Sequence, residues 1–442
     1  MAVLVPALLA IILVAAVAGG MPKALAVIIA LAVPVFAVLF RVPRRALVAC
    51  IVAASLFCGA PVKLGQLDLS DVLLLTAALL LLLQRDSEGE MPPLAPLPRA
   101  VLFGLALLVL GGIIGSAFEP PSFSAVFRIV VVAPTKLFFL TPRYGELVRL
   151  LYGTVGVVLL IRAARLTSAQ TRYAITSFAL GATVSALWGV INPTAFANRA
   201  VGLTAHPIYL GWISAFSAVI GVGLILERGK WSRAIGVATV LAGVGGIAVS
   251  GTRSGVLILL AGLFVLQLGL RSVRRSVTFV LLGLVVVSLL VLGVGGDTPV
   301  STRLAGSQSA LQSNVQRNVV RQDSFALVRK HGWTGVGLRY LFPPHNLVLG
   351  VLAATGAIGF AGLLVVAGSL VRRLIATPPG DVLSVAVLAA VIGTYACMWF
   401  VNVGWDRWFW VPIALVLARP SGPEVADGPS DVATRSPASL AP

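Results

Sequence analysis

The sequence predicts an all-α, polytopic transmembrane helical bundle, and three observations carry this prediction. Hydrophobic residues make up 58% of the 442 residues and charged residues only 11%, whereas a soluble domain is roughly 25% charged. Mean hydropathy is +1.01. The apolar runs are unbroken rather than alternating, which favours helices over a closed barrel as the way to satisfy the backbone in lipid.

Apolar runs that approach the roughly 20 residues needed to cross a bilayer define fourteen candidate spans. They lie near residues 3–19, 24–40, 46–62, 67–84, 100–118, 146–164, 173–191, 206–226, 233–250, 254–270, 276–294, 346–371, 381–402 and 406–419. Several are short, an early pair is compatible with a re-entrant hairpin, and the last is marginal. Twelve spans therefore remain an alternative to fourteen.

Basic residues concentrate in every second connection between these spans. Because Lys and Arg accumulate in cytoplasmic loops, the basic connections are expected inside and both termini cytoplasmic, in a cytoplasmic-type membrane. The basic connections contain Arg41, Arg44, Arg45, Arg162, Arg165, Arg172, Arg228, Lys230, Arg233, Arg271, Arg274, Arg275, Arg372 and Arg373.

Two outer segments break this pattern. Residues 119–145 hold three basic residues around an apolar stretch with Pro134, which suggests a re-entrant or interfacial element of unassigned role. Residues 295–345, expected to be partly helical, carry six basic and two acidic residues, a net charge of +4. Such a segment either binds an anionic partner or is a solvated basic surface.

The chain divides into three parts by hydropathy. Residues 1–190 form a set of N-terminal transmembrane helices, and residues 191–419 form a second transmembrane region that includes the basic segment 295–345. Residues 420–442, rich in Pro, Ser and Ala, have the composition of a disordered cytoplasmic tail.

Four arginines are candidates for anion binding. Arg317 and Arg321 are four residues apart and share one face if their segment is helical, and guanidinium groups match phosphate oxygens. Arg253 lies in a small-residue turn, Ser-Gly-Thr-Arg-Ser-Gly, and Arg199 opens another outer connection. The alternatives are a solvated helix face for the pair and interfacial anchors for the single residues.

His345 is the candidate general base. It lies in Pro-Pro-His-Asn-Leu, where the outer segment meets the next apolar span, and an imidazole there can accept a proton near neutral pH. The alternative is a histidine that only caps the helix together with Asn346.

The sequence lacks the residue patterns that metal binding, glycoside hydrolysis and nucleophilic catalysis require. Cys50, Cys58 and Cys397 all lie in apolar runs and have no metal-site spacing, no acidic pair has a glycosidase context, and no Ser or Cys nucleophile motif occurs. No charged residue lies in the middle of a span, which weakens an ion-coupled transporter. We expect no cofactor, no metal and no nucleic-acid partner.

The motif residues resemble a known family. His345-Asn346, a nine-residue gap and Gly356-x-x-Gly359 are similar to the pattern of bacterial O-antigen ligases and related O-antigen polymerases. The segment from Arg317 to His331-Gly-Trp-Thr-Gly-Val-Gly337, the Arg253 turn, and Arg199 with Gly202 also resemble that family's motifs, over roughly residues 195–370.

This resemblance implies a metal-independent, inverting glycosyltransferase with a GT-C-like membrane architecture. Its donor would be an undecaprenyl-diphosphate-linked glycan and its acceptor a glycan or glycolipid, at the extracytoplasmic face of the bacterial inner membrane. His345 would be the catalytic base, and the donor diphosphate would contact Arg199, Arg253 and Arg317, with Arg321 as a further binding residue. Ligase and polymerase remain open, as do a transporter or flippase for lipid-linked glycans and a non-catalytic partner in envelope assembly.

Overall fold

A computed structural model describes residues 43–64, 67–83, 97–118, 142–193, 199–227, 229–271, 299–304, 306–341 and 345–419. Within them the chain is helical apart from its connections and one two-residue hairpin, β1 (Lys63–Leu64) and β2 (Leu67–Asp68). Six of these helices are long and apolar enough to cross a membrane. The chain is therefore a multi-pass helical membrane protein.

The helices of the first half are α1 (Pro43–Gly59), α2 (Leu69–Leu83), α3 (Arg99–Ala117), α4 (Pro142–Leu150), α5 (Val157–Ala163) and α6 (Ser168–Ile191). A π-helical turn, Leu151–Gly156, joins α4 to α5 without a break. The long apolar helices among them are α3 and α6.

The second half contains α7 (Pro207–Leu226), α8 (Lys230–Ser250), α9 (Arg253–Leu270), α10 (Pro299–Leu304), α11 (Gln308–His331), α12 (Leu347–Ala376), α13 (Val382–Ala396) and α14 (Arg407–Leu417). The long apolar helices here are α7, α8, α9 and α12. Helix α7 is the most deeply buried of them and packs against α6, α8, α9 and α13.

Every predicted span that falls within the described residues coincides with a helix. The largest differences are at α13, which ends at Ala396 instead of 402, at α12, which continues to Ala376 instead of 371, and at α6, which starts at Ser168 instead of 173. The segment 295–345 is partly helical as predicted, through α10, α11 and a 3₁₀ turn at Leu338–Tyr340. The predicted spans 3–19, 24–40 and 276–294, residues 119–141 and the tail 420–442 lie outside the described residues, so the total number of spans stays a prediction.

Contacts between the connections sort the helix ends into two groups. At one end, the connections that the charge pattern predicts to be inside touch one another, because Arg172 pairs with Glu227 at 2.6 Å and Arg419 pairs with Asp381 at 2.6 Å. At the opposite end, Arg407 pairs with Asp71 at 2.5 Å. The predicted alternation of inner and outer connections therefore agrees with their grouping in space.

Glycines let α3 and α12 pack with their backbones in contact. A Cβ atom at Gly111 would lie 2.6 Å from the Gly359 nitrogen, and one at Gly362 would lie 2.4 Å from the Gly104 carbonyl oxygen. Real Cβ atoms do not approach backbone this closely, so these positions admit only glycine without a shift. Small residues at helix interfaces in lipid allow this close approach.

Helix α12 is kinked at Gly356, whose backbone angles (φ 66°, ψ −169°) are not helical. The turn after α11 docks into this kink: Val336 N donates to Ala353 O at 2.8 Å, and Ala357 N donates to Gly332 O at 2.7 Å. The kink therefore fixes the C-terminal end of α11 on α12.

Candidate functional site

A cavity of about 1040 Å³ opens at the helix ends that hold the predicted outer connections. Its described lining includes no acidic residue. The cationic and polar lining consists of Arg199, Thr252, Arg253, Ser254, Arg303, Asn314, Arg317, Asn318, Arg321, Gln322, His345 and Asn346, and the apolar lining of Ile208, Trp212, Val256, Leu257, Phe325, Trp399 and Phe400. The arginines and the histidine that the sequence singled out thus come together in one place.

Arg199 is held by the turn between α8 and α9. Its Nε donates to the Ser250 carbonyl oxygen at 2.6 Å and its Nη2 donates to Thr252 Oγ1 at 3.2 Å. The turn is possible because Gly251 adopts a left-handed conformation (φ 61°). The remaining guanidinium donor, Nη1, has no hydrogen-bond partner among the described residues.

Arg253 is the first residue of α9 and links that helix to α11. Its Nη2 donates to Asn314 Oδ1 at 2.7 Å. Asn314 lies one turn before Arg317 on the cavity face of α11. This contact therefore helps to set the position of the helix that carries two more of the cavity's arginines.

Arg317 and Arg321 both line the cavity from α11, as their spacing predicts. Neither forms an ion pair with Asp323 or with another acidic residue in the described part of the chain. Arg321 is exposed, whereas Arg317 is partly buried. The two side chains are thus available to an anion in the cavity.

Arg303, on α10, is a lining residue that sequence reasoning counted only as part of the basic segment. Its side chain is buried, with 8% of the residue exposed, and it packs beside Gly251. No motif marked it, because its place in the cavity depends on a contact between α10 and a turn about fifty residues earlier.

The cationic side chains depress one another's pKa values. Burial, followed by repulsion from Arg303 and Arg317, lowers the pKa of Arg199 to about 10. Burial and neighbouring arginines also lower the pKa values of Arg303 and Arg317. All three remain charged at neutral pH, so the cavity has a positive potential that an anion would relieve.

His345 lies in the cavity with an unusual backbone conformation. Its φ is +47°, in the left-handed region that few residues other than glycine adopt. The side chain is exposed to the solvent space of the cavity although protein surrounds it on most sides. This partial burial, and then the charges of Arg317 and His206, lower the pKa of its imidazole to about 4. The ring is therefore neutral at pH 7 and able to accept a proton.

The helix cap predicted as an alternative role for His345 belongs to Asn346 alone. Asn346 Oδ1 accepts a hydrogen bond from Leu349 N at 3.0 Å and so caps α12. His206 plays the same part for α7, where its Nδ1 accepts from Ile208 N at 3.2 Å. The capping role therefore gives no account of the His345 side chain.

The glycines of the motif, Gly356 and Gly359, position the helices of the site without lining the cavity. Gly356 forms the kink that receives the turn after α11, and Gly359 packs against Gly111 of α3. Their role is to place α11 and α12, which carry Arg317 and the residues after His345.

The acidic residues that the structure describes at this end of the bundle do not line the large cavity. Asp68, Asp406 and Arg407 line a separate cavity of about 110 Å³, and Asp71, 1% exposed, pairs with Arg407. Among the described residues, no group of three or more His, Cys, Asp or Glu side chains is arranged to hold a metal. The cysteines are buried and unpaired.

Comparisons of the chain with protein-family models and with curated proteins each find no match.

Proposed function

We propose that the protein is a membrane glycosyltransferase that moves a glycan from an undecaprenyl-diphosphate-linked donor to an acceptor sugar. One observation carries the proposal: five arginines and one neutral histidine line a single cavity whose described lining has no acidic residue. Cations without carboxylate partners suit a phosphate-bearing ligand, and a proton acceptor beside them suits group transfer.

The proposed reaction uses the two kinds of side chain for different tasks. His345 accepts the proton of the acceptor hydroxyl while that oxygen attacks the anomeric carbon. The bond from this carbon to the phosphate oxygen breaks, and its electrons leave with undecaprenyl diphosphate. Arg199, Arg253 and Arg317 stabilise the negative charge that builds on the diphosphate, with Arg321 as a further contact. Attack opposite the leaving group inverts the anomeric centre, and neither a metal nor a cofactor takes part.

The rim of the cavity suits the lipid part of such a donor. Leu257, Phe325, Trp399 and Phe400 line it and are exposed. Exposed aromatic and apolar residues at a membrane protein's end commonly lie at the level of the lipid headgroups. The polyprenyl chain would pass over this rim into the bilayer, while the diphosphate reaches the arginines.

The proposal includes a location and a family. The cavity lies on the extracytoplasmic face of the bacterial inner membrane, both termini are cytoplasmic, and the chain is an O-antigen ligase-like or polymerase-like member of the GT-C architecture. The motif residues from Arg199 to Gly359 support it.

Transfer from a labelled undecaprenyl-diphosphate-linked repeat unit, with purified protein in detergent, tests the proposal. We expect release of undecaprenyl diphosphate by the wild type and by Arg329→Ala, an exposed residue of α11 outside the cavity lining. His345→Ala and Arg253→Ala should abolish most of it. Full activity in both variants would contradict the assignment. A ladder of products indicates a polymerase, a single transfer to an added acceptor indicates a ligase, and no consumption of donor by the wild type favours a transporter.

A further inference from the structure

Arg303 is a buried cation of the cavity that no acidic group balances among the residues that the structure describes. It is 8% exposed, and in the part of the chain that the structure describes its guanidinium has no hydrogen-bond or ion-pair partner. The charged groups that interact with it, Arg199, Arg253 and Arg317, carry the same sign of charge. A buried cation in such surroundings is costly in the empty protein, so its presence points to an anionic ligand.

The position of Arg303 differs from that of the arginine next to the histidine. Arg317 is the arginine that lowers the pKa of His345. Arg303 instead packs at the Gly251 turn and interacts with Arg199, Arg253 and Arg317. Arg303 is not among the charges that act on His345, and the five arginines that line the cavity are more cations than a single phosphate requires.

We propose that Arg303 binds the phosphate farther from the reacting sugar in a lipid-linked diphosphate, and thereby makes the cavity select diphosphate over monophosphate carriers. This inference rests on the proposed function, because it assigns one phosphate of the same donor. A diphosphate diester carries one more negative charge than a monophosphate diester. The second charge reaches Arg303 only when the first phosphate is held beside Arg317.

Equilibrium binding of undecaprenyl diphosphate and undecaprenyl monophosphate to the full chain in detergent tests this inference. The two probes share the same tail, so their difference reports on the head group. Arg303→Gln should weaken diphosphate binding by about tenfold or more, since charge-assisted hydrogen bonds contribute that much, and monophosphate binding by less than about threefold. Arg303→Lys should recover part of the preference because the charge remains. Arg329→Gln is the matched control for the loss of an arginine outside the cavity.

Thermal unfolding of the ligand-free variants separates binding from structure. If Arg303 serves a ligand, Arg303→Gln unfolds at the same or a higher temperature than the wild type, because an uncompensated charge has been removed. A lower unfolding temperature with equal losses for both lipids would show a structural arginine and overturn the inference. So would a wild type without preference for the diphosphate. The binding assay contains no acceptor and does not measure transfer. If the protein selects the diphosphate here but transfers nothing in the activity assay, that result contradicts only the proposed function.

Discussion

Replacement of Gly356 by alanine tests whether the kink in α12 holds the site together. At φ 66° and ψ −169° the residue lies in a region that is essentially restricted to glycine. An added Cβ atom would be 2.2 Å from the Trp333 carbonyl oxygen and 2.9 Å from the Gly335 nitrogen. The substitution must therefore either strain the backbone or displace the turn that follows α11.

Both outcomes cost a similar free energy. Backbone strain at such a position amounts to about 1–3 kcal/mol. Displacement of the turn breaks three hydrogen bonds between it and α12, at about 1 kcal/mol each: Val336 N and Gly337 N donate to α12, and Ala357 N of α12 donates to the Gly332 carbonyl oxygen. We expect Gly356→Ala to destabilise the protein by about 2–4 kcal/mol and to weaken the binding of undecaprenyl diphosphate, because α11 carries Arg317.

Gly368→Ala on the same helix is the matched control. Apart from its chain neighbours and the backbone of its own helix turn, no heavy atom lies within 4 Å of a Cβ atom built there, so the added methyl group meets open space. Thermal unfolding and lipid binding of the two purified variants should differ, with Gly356→Ala lower in both. If both variants unfold and bind like the wild type, the kink does not position α11 and the reasoning fails.

Three further predictions concern the histidine and the buried ion pair. Asn tolerates a left-handed backbone, so His345→Asn should fold like the wild type but lose transfer by about 100-fold or more; near-normal turnover in an initial-rate assay would remove His345 as the base. Because a base must be neutral and the pKa of free His345 is lowered to about 4, kcat/KM should rise with pH through about 4 and then level. A bound diphosphate offsets the arginine charges and raises the pKa of His345, so the acidic limb of the kcat profile should lie at higher pH than that of kcat/KM. If the two profiles fall at the same pH, this electrostatic explanation is wrong. Asp71→Asn leaves Arg407 buried without its partner at 2.5 Å and should cost about 3–5 kcal/mol in stability, measured by thermal unfolding, while lipid binding by the folded fraction stays unchanged; a weaker affinity would link this pair to the cavity.

The helices were accessible from the sequence because hydropathy alone decides which segments enter lipid. Helix α7 illustrates this, since the run predicted at 206–226 is a helix from Pro207 to Leu226. The kink at Gly356 was not accessible, because it depends on the docking of Trp333 and Gly335 against that residue. The π-helical turn at Leu151–Gly156 was missed in the same way, as its spacing leaves no mark on an apolar run.

The candidate site was predictable where a residue type stands out against its surroundings. Arg253 is a charged residue in a turn of small residues, and His345 is a titratable residue just before an apolar span. Both line the cavity. Arg303 does not stand out, because it is one basic residue among several in its segment. Its burial beside Gly251 arises only when α10 packs on the turn between α8 and α9, a long-range contact that local patterns do not contain.

The glycine contacts between α3 and α12 have a mechanical consequence. Backbone lies directly on backbone from Gly104 to Gly115, so neither helix can slide or roll past the other without collision. Helix α12 begins just after His345. A motion that displaced α12 relative to α3 would have to break this interlock. The start of α12 is therefore held in place, and with it the backbone next to His345 at the edge of the cavity.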